Sequence, residues 1–210
     1  MKWTLLVTGH GRWGYLDRMT ESVNFDLFDR RILSLDGGAG EVTSGDWTEI
    51  HRLPSRMGLS ANLAQGWAAV TRGEESMVLH VEEDFIIGDV DLDAMAATLN
   101  ANPDVAQMAL VRQPWSPEEH AAGGMLYGPH LEGDLVEECG WLRHNRIYTL
   151  NPHVVRSDLL AELTAGVEHD LTAQCLDRGL SFGFFGAMDD PPRCLHVGHE
   201  GGMGSQGWMP

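Results

Sequence analysis

The sequence predicts an α/β fold: one domain, built on a sheet with helices packed against it. Three observations carry that reading. Short apolar runs of strand length alternate with amphipathic stretches of helix length over the first 112 residues. Several of those runs stop at glycine or at acidic residues, which punctuate strand ends. The chain has 210 residues, 43% of them hydrophobic and 21% charged, which suits one ordinary globular core.

Trp3 to Val7 reads as a buried first strand, followed by the turn Thr8-Gly9-His10-Gly11-Arg12-Trp13-Gly14. Tyr15 to Val23 reads as a short helix with Leu16, Met19 and Val23 on one face. Arg31 to Leu35 is a second strand ending at Asp36, and Glu49 to Leu53 a third. Ser60 is the expected cap of a helix running to Arg72, with Leu59, Leu63, Trp67 and Val70 as its stripe. Ser76 to Val81 is a central strand, Asp91 opens another helix, and Val105 to Val111 is a further strand. From Gln113 to Cys139 the pattern dissolves into Pro, Gly, His and acids, a length of irregular chain that is usually functional or mobile. Order returns with an expected strand at Ile147 to Leu150. Helices follow at Ser157 to Leu163 and Glu168 to Arg178, then a strand at Ser181 to Phe185. The glycine-rich tail from Gly198 is expected to be flexible.

Charge narrows the function classes. Fourteen Lys and Arg face 31 Asp and Glu, a formal net charge of −17. Such a surface repels phosphate backbones, so nucleic acid and anionic membranes are poor partners. Lys2 is the only lysine, which reads as coding bias. No apolar stretch approaches the roughly 18–20 residues of a spanning helix, so no membrane insertion is expected. The apolar N-terminal run is too short for a signal peptide. Cys139, Cys175 and Cys194 are odd in number and lack CxxC spacing, which argues against a disulfide framework or zinc ribbon. A cytoplasmic location is the expectation.

Four motifs could carry chemistry. Gly9-x-Gly11-x-x-Gly14 sits between a strand and a helix, with Asp36 ending the next strand. This matches a dinucleotide fingerprint, in which glycines admit a pyrophosphate and the acid takes a ribose hydroxyl. It equally matches a tight strand-to-helix turn. Glu82-Glu83-Asp84 follows a hydrophobic strand directly. Like charges packed together need compensation, and a hard divalent cation supplies it. Residues i and i+2 of an extended chain share a side, so Glu82 and Asp84 could share the cation while Glu83 points away. A solvated acidic turn is the alternative, but the Phe-Ile-Ile run after it is a poor setting for one. His196 and His199 could complete a metal shell. Glu168-His169-Asp170 opens a helix, where acids suit the macrodipole and could also present a general base.

The order of these parts resembles a family 2 glycosyltransferase of the GT-A fold, of the small phage or bacterial type. The motifs are Thr8-Gly9-His10-Gly11-Arg12 before a helix, Asp36 after the second strand, Gly58-Leu59-Ser60-Ala61-Asn62 opening the next helix, and Glu82-Glu83-Asp84. Leu150-Asn151-Pro152, Glu168 to Gly186 and His196-Val197-Gly198 continue the resemblance. The acidic motif departs from it, being Glu-Glu-Asp rather than Asp-x-Asp.

The resemblance implies a Rossmann-like mixed sheet with helices on both faces. It divides the domain into a nucleotide-binding half over residues 1–112 and an acceptor-side half over 113–210. It implies a hexosyltransferase that moves sugar from a UDP- or GDP-sugar to a glycan, protein or small-molecule hydroxyl, with inversion. Asp84 would bind Mn²⁺ or Mg²⁺, with Glu82, His196 and His199 assisting. Thr8, Gly9, Arg12, Asp36, Arg56, Gly58, Asn62 and Glu83 would line the donor site. Glu168 or Asp170 would be the base. The segment from Gln113 would be a lid or acceptor loop, with Trp115, Tyr127 and Trp141 as sugar platforms. Two rival readings stand beside it: an NAD(P)-dependent oxidoreductase using the glycine turn, and a domain that binds a nucleotide sugar without turnover.

Overall fold

The computed structural model describes residues 1–38, 40–110, 135–187 and 190–198. At its centre β1 (Trp3–Gly9) is buried along its whole length. The flanking strands are β2 (Arg30–Leu35), β3 (Glu49–Arg52) and β4 (Met77–Glu82), all running parallel to their neighbours. Beyond β4 the direction reverses. β9 (His153–Arg156) lies antiparallel between β4 and β6 (Val105–Leu110). β10 (Ser181–Phe185) then pairs parallel to β6, and β8 (Trp141–His144) and β7 (Val136–Glu137) finish that edge antiparallel. The order is β3-β2-β1-β4-β9-β6-β10-β8-β7. A separate two-stranded ribbon joins β5 (Phe85–Ile87) to β11 (Cys194–His196).

Helices cover both faces. On one, α1 (Trp13–Ser22) and α3 (Leu92–Ala101) bury Leu16, Met19, Met95 and Leu99 against Leu5, Val7, Leu79 and Val81. On the other, α2 (Leu59–Thr71), α4 (Ser157–Glu162) and α5 (Glu168–Asp177) bury Leu63, Trp67, Leu160 and Leu171 against Leu6, Ile32, Val78 and Val155. Alternate residues of each central strand serve the two faces, as the pleat demands. Among the described residues no helix is long and apolar enough to cross a membrane.

The strand expected at Ile147 to Leu150 is not one. The segment is extended and buried, but side chains take its N–H groups. Tyr148 N–H donates to Thr172 Oγ1, Thr149 N–H to Gln107 Oε1, and Leu150 N–H to Glu168 Oε1. The ladder starts after Pro152, at β9. Ser60 is not the cap of α2 either. Gly58 holds that position at φ 91°, and the helix begins with Asn62 N–H donating to Gly58 O. Trp141 is buried in β8 with the Arg143 guanidinium over its ring, so it belongs to the core. Trp115, Tyr127 and most of the irregular segment lie outside the described residues, as does the tail after Gly198.

Candidate functional site

The parallel register of β1 and β4 pairs Thr8 with Glu82, so the acidic triplet leaves the sheet beside the Gly9–Arg12 turn. Glu83 N–H donates to Thr8 O at 2.9 Å, which fixes the exit. The Glu83 side chain then turns into the glycine turn and is 1% exposed. Its Oε2 accepts from Gly11 N–H at 3.2 Å and Arg12 N–H at 3.3 Å, and its Oε1 from Arg12 Nε at 2.9 Å. His10 Nδ1 lies 3.2 Å from Oε1. A Cβ on Gly9 would overlap the Glu83 carboxylate. The glycine here admits a carboxylate of the chain itself.

Asp84 reaches the same guanidinium. Its Oδ2 accepts from Arg12 Nη2 at 2.6 Å and lies 3.2 Å from His196 Nε2. The β5–β11 ribbon delivers that histidine. Val197 N–H donates to Asp84 O at 2.8 Å, and the His196 ring stacks on Phe85 with centroids 4.7 Å apart. Gly198 is required by contact, because a Cβ there would meet Asp84 Oδ2 and His196 Nε2. Burial alone would raise the Asp84 pKa; the His196 hydrogen bond and charge, with those of Arg12, outweigh it and hold it at about 2. Glu82 is pushed well above the usual carboxylate range, first by burial, then by Asp84 and Glu168. His10 is pushed down by burial, with Arg12 and Arg56 adding to the effect against the pull of Glu83. Two carboxylates are therefore neutralised internally by one arginine, while a third beside them resists ionising.

No family model matches this chain, and no curated protein does. The solved structures similar to it include two that match over 94% of its length. One is S. aureus TarS 1–349, at 15% identity and a TM-score of 0.56, of which the chain spans 61%. The other is the UTP-bound UGPase from Acinetobacter baumannii, at 9% identity and a TM-score of 0.57, of which it spans 89%. The fold is GT-A-like. Its sheet is mixed in strand direction and covered by helices on both faces.

In this GT-A-like frame the dinucleotide reading loses its footing. The N–H groups that would greet a pyrophosphate already hold Glu83, and β9 breaks the all-parallel sheet of a doubly wound domain. The other predicted residues divide clearly. Asp36 accepts Met57 N–H at 2.6 Å and Gly58 N–H at 2.9 Å, so its carboxylate shapes the approach to α2. Asn62 is buried; its Nδ2 donates to Gly9 O and its Oδ1 accepts from Ser34 Oγ. It braces the turn from behind, where a donor contact was expected. Thr8 is buried too, with Oγ1 3.0 Å from His80 Nε2. Arg56 is exposed, and its charge is felt at His10. Glu168 is brought toward the cluster, with Oε1 accepting from Leu150 N–H at 2.7 Å and Thr149 Oγ1 at 3.1 Å. Asp170 is exposed and turned back over Gly166. His199 lies outside the described residues.

Sequence reasoning missed His10, Tyr15 and Phe85. Arg12 sits over the Tyr15 ring at 4.9 Å, a cation–π contact three residues along that an Arg-x-x-Tyr spacing at a helix start could have flagged. Nothing local announced that Phe85 would carry His196.

Proposed function

We propose that this chain is a glycosyltransferase taking sugar from a nucleoside-diphosphate donor. One observation carries the reading. Three separate segments converge on Asp84: the β4 end, the Gly9–Arg12 turn and the β11 ribbon bearing His196. They do so at the carboxyl ends of parallel strands, where α/β sheets bind ligands. The similar structure that holds UTP supports a uridine nucleotide there.

The donor set fits a divalent cation. Asp84 Oδ2 and His196 Nε2 are 3.2 Å apart, close to the roughly 3 Å between two neighbouring ligands of an octahedral ion at about 2.1 Å. Among the described residues no group of three acids, histidines or cysteines is placed to hold a metal ion by itself, so diphosphate oxygens and water would complete the shell. Mn²⁺ or Mg²⁺ held there would offset charge on the departing diphosphate. Arg56 and Arg12 would bind phosphate oxygens, for which a guanidinium is suited. Glu168, one oxygen fixed by Leu150 N–H, would take the acceptor hydroxyl proton in an inverting, hexosyltransferase-type reaction. A second reading, a domain holding a nucleotide sugar without turnover, is favoured by the Arg12 contact that already neutralises Asp84.

Donor hydrolysis decides between them. Wild type is expected to release UDP or GDP from its donor, and Asp84→Ala to do so on the order of 100-fold more slowly. Hydrolysis by that variant at the wild-type rate would sink the metal assignment. A donor that binds and stays intact with every acceptor would favour the second reading.

A further inference from the structure

We propose that Arg12 couples cation binding to donor binding. Its guanidinium is the resident counter-ion of Asp84 in the ligand-free chain, and it transfers to the donor diphosphate when a divalent cation takes its place. This rests on reading Asp84 and His196 as the cation's ligands.

The argument begins with a single oxygen. Asp84 Oδ2 receives Arg12 Nη2 at 2.6 Å and is the same oxygen that faces His196 Nε2. A divalent ion held by Asp84 and His196 would take that oxygen, setting a dication beside the guanidinium at a carboxylate only 8% exposed. Repulsion between like charges is strong where solvent does not screen it. The two cations therefore compete. The guanidinium moves as one rigid plane: its Nε is 2.9 Å from Glu83 Oε1 and the group rests over Tyr15, so leaving Asp84 also swings it off Glu83. Glu83 itself stays put, because the Gly11 and Arg12 backbone N–H groups hold its other oxygen. A diphosphate bound beside the cation offers the freed guanidinium a new anion. The exposed Arg56 adds positive charge on that side, since its field reaches His10 next to Glu83.

Two consequences follow. The cation binds weakly without nucleotide, and nucleotide strengthens it. By linkage, the cation strengthens nucleotide binding by the same factor. Removing the guanidinium removes the competitor.

The test titrates Mn²⁺ against the full chain, following the free-ion signal by electron paramagnetic resonance, with and without UDP. The proteins are wild type, Arg12→Gln and Arg12→Lys, each checked for folding by its thermal melt. Wild type is expected to bind Mn²⁺ at least about fivefold more tightly with UDP than without it. Arg12→Gln should bind Mn²⁺ alone about tenfold more tightly than wild type, and the UDP effect should shrink toward unity. Arg12→Lys keeps a competing charge and should bind Mn²⁺ alone more weakly than Arg12→Gln. Should Arg12→Gln fail to fold, a tenfold gain in Arg12→Lys would overturn the proposal, because the charge would then not be the competitor. Equal or weaker Mn²⁺ binding by folded Arg12→Gln overturns it directly, with the metal site intact. Absence of Mn²⁺ binding by all three proteins, with UDP present, overturns the metal reading and this proposal together.

Discussion

Glu83 shows how a single carboxylate organises the site. A charged side chain this deeply buried needs partners, and the turn residues Gly11 and Arg12 supply backbone and side-chain N–H groups to both of its oxygens. Gly9 must lack a side chain for that contact to exist. Gly9→Ala is therefore expected to lower stability by about 1–3 kcal/mol, as overpacking of a closed site does. A denaturant titration checks it, and an unchanged midpoint would mean the carboxylate has room that the structure denies it. The i, i+2 rule set Glu83 apart from Glu82 and Asp84, but residues 83 and 84 form a turn and their carboxylates share the Arg12 guanidinium. What Glu83 meets was not legible, because its partners come from a turn more than 70 residues earlier in the chain, brought alongside by strand register. The same holds for Asp36 and Asn62. Their residue types suggested ligand contacts, yet long-range packing gave them backbone partners.

At the level of elements, the segment before β9 carries a buried polar chain with a defined protonation state. His153 Nδ1–H donates to Asn151 O at 2.8 Å, so Nε2 is left to accept the Tyr148 hydroxyl at 3.1 Å. The imidazole is thereby neutral. Burial holds His153 down at about 4, against an ordinary 6.5. The sign follows. The unfolded chain takes up a proton near 6.5 while the folded chain refuses it until about 4. Stability from His153 is thus complete above pH 6.5 and is lost as pH falls toward 4. His144 and His80 are depressed by burial and act in the same direction. Urea midpoints measured from pH 7 to 4 should fall, and His153→Gln should flatten the slope by up to about 1.4 kcal/mol per pH unit. An unaltered slope in that variant would contradict the assignment. Sequence periodicity could not separate Ile147–Leu150 from a strand, since burial and alternation look alike whether N–H groups meet a ladder or side chains.

Across the whole molecule, most strands and helices of the first 110 residues stand close to where periodicity put them, because most carry their own apolar stripe; β5 is the strand there that the sequence reading did not place. The second half was less legible. β8 and β9 are short, and β11 is three residues whose only strand partner among the described residues is β5, more than 100 residues away. Yet that ribbon completes the site by setting His196 against Asp84. The net charge of −17 also acquires a location, in three consecutive acids that an internal arginine and a histidine partly offset.

The most direct measurement is a thermal-shift titration of the full chain with UDP, GDP and NAD⁺, each with and without Mn²⁺. Stabilisation by UDP or GDP that needs Mn²⁺ and disappears in Asp84→Asn is the predicted result. Stabilisation by NAD⁺ without metal, with neither nucleoside diphosphate acting in its presence, would contradict the account.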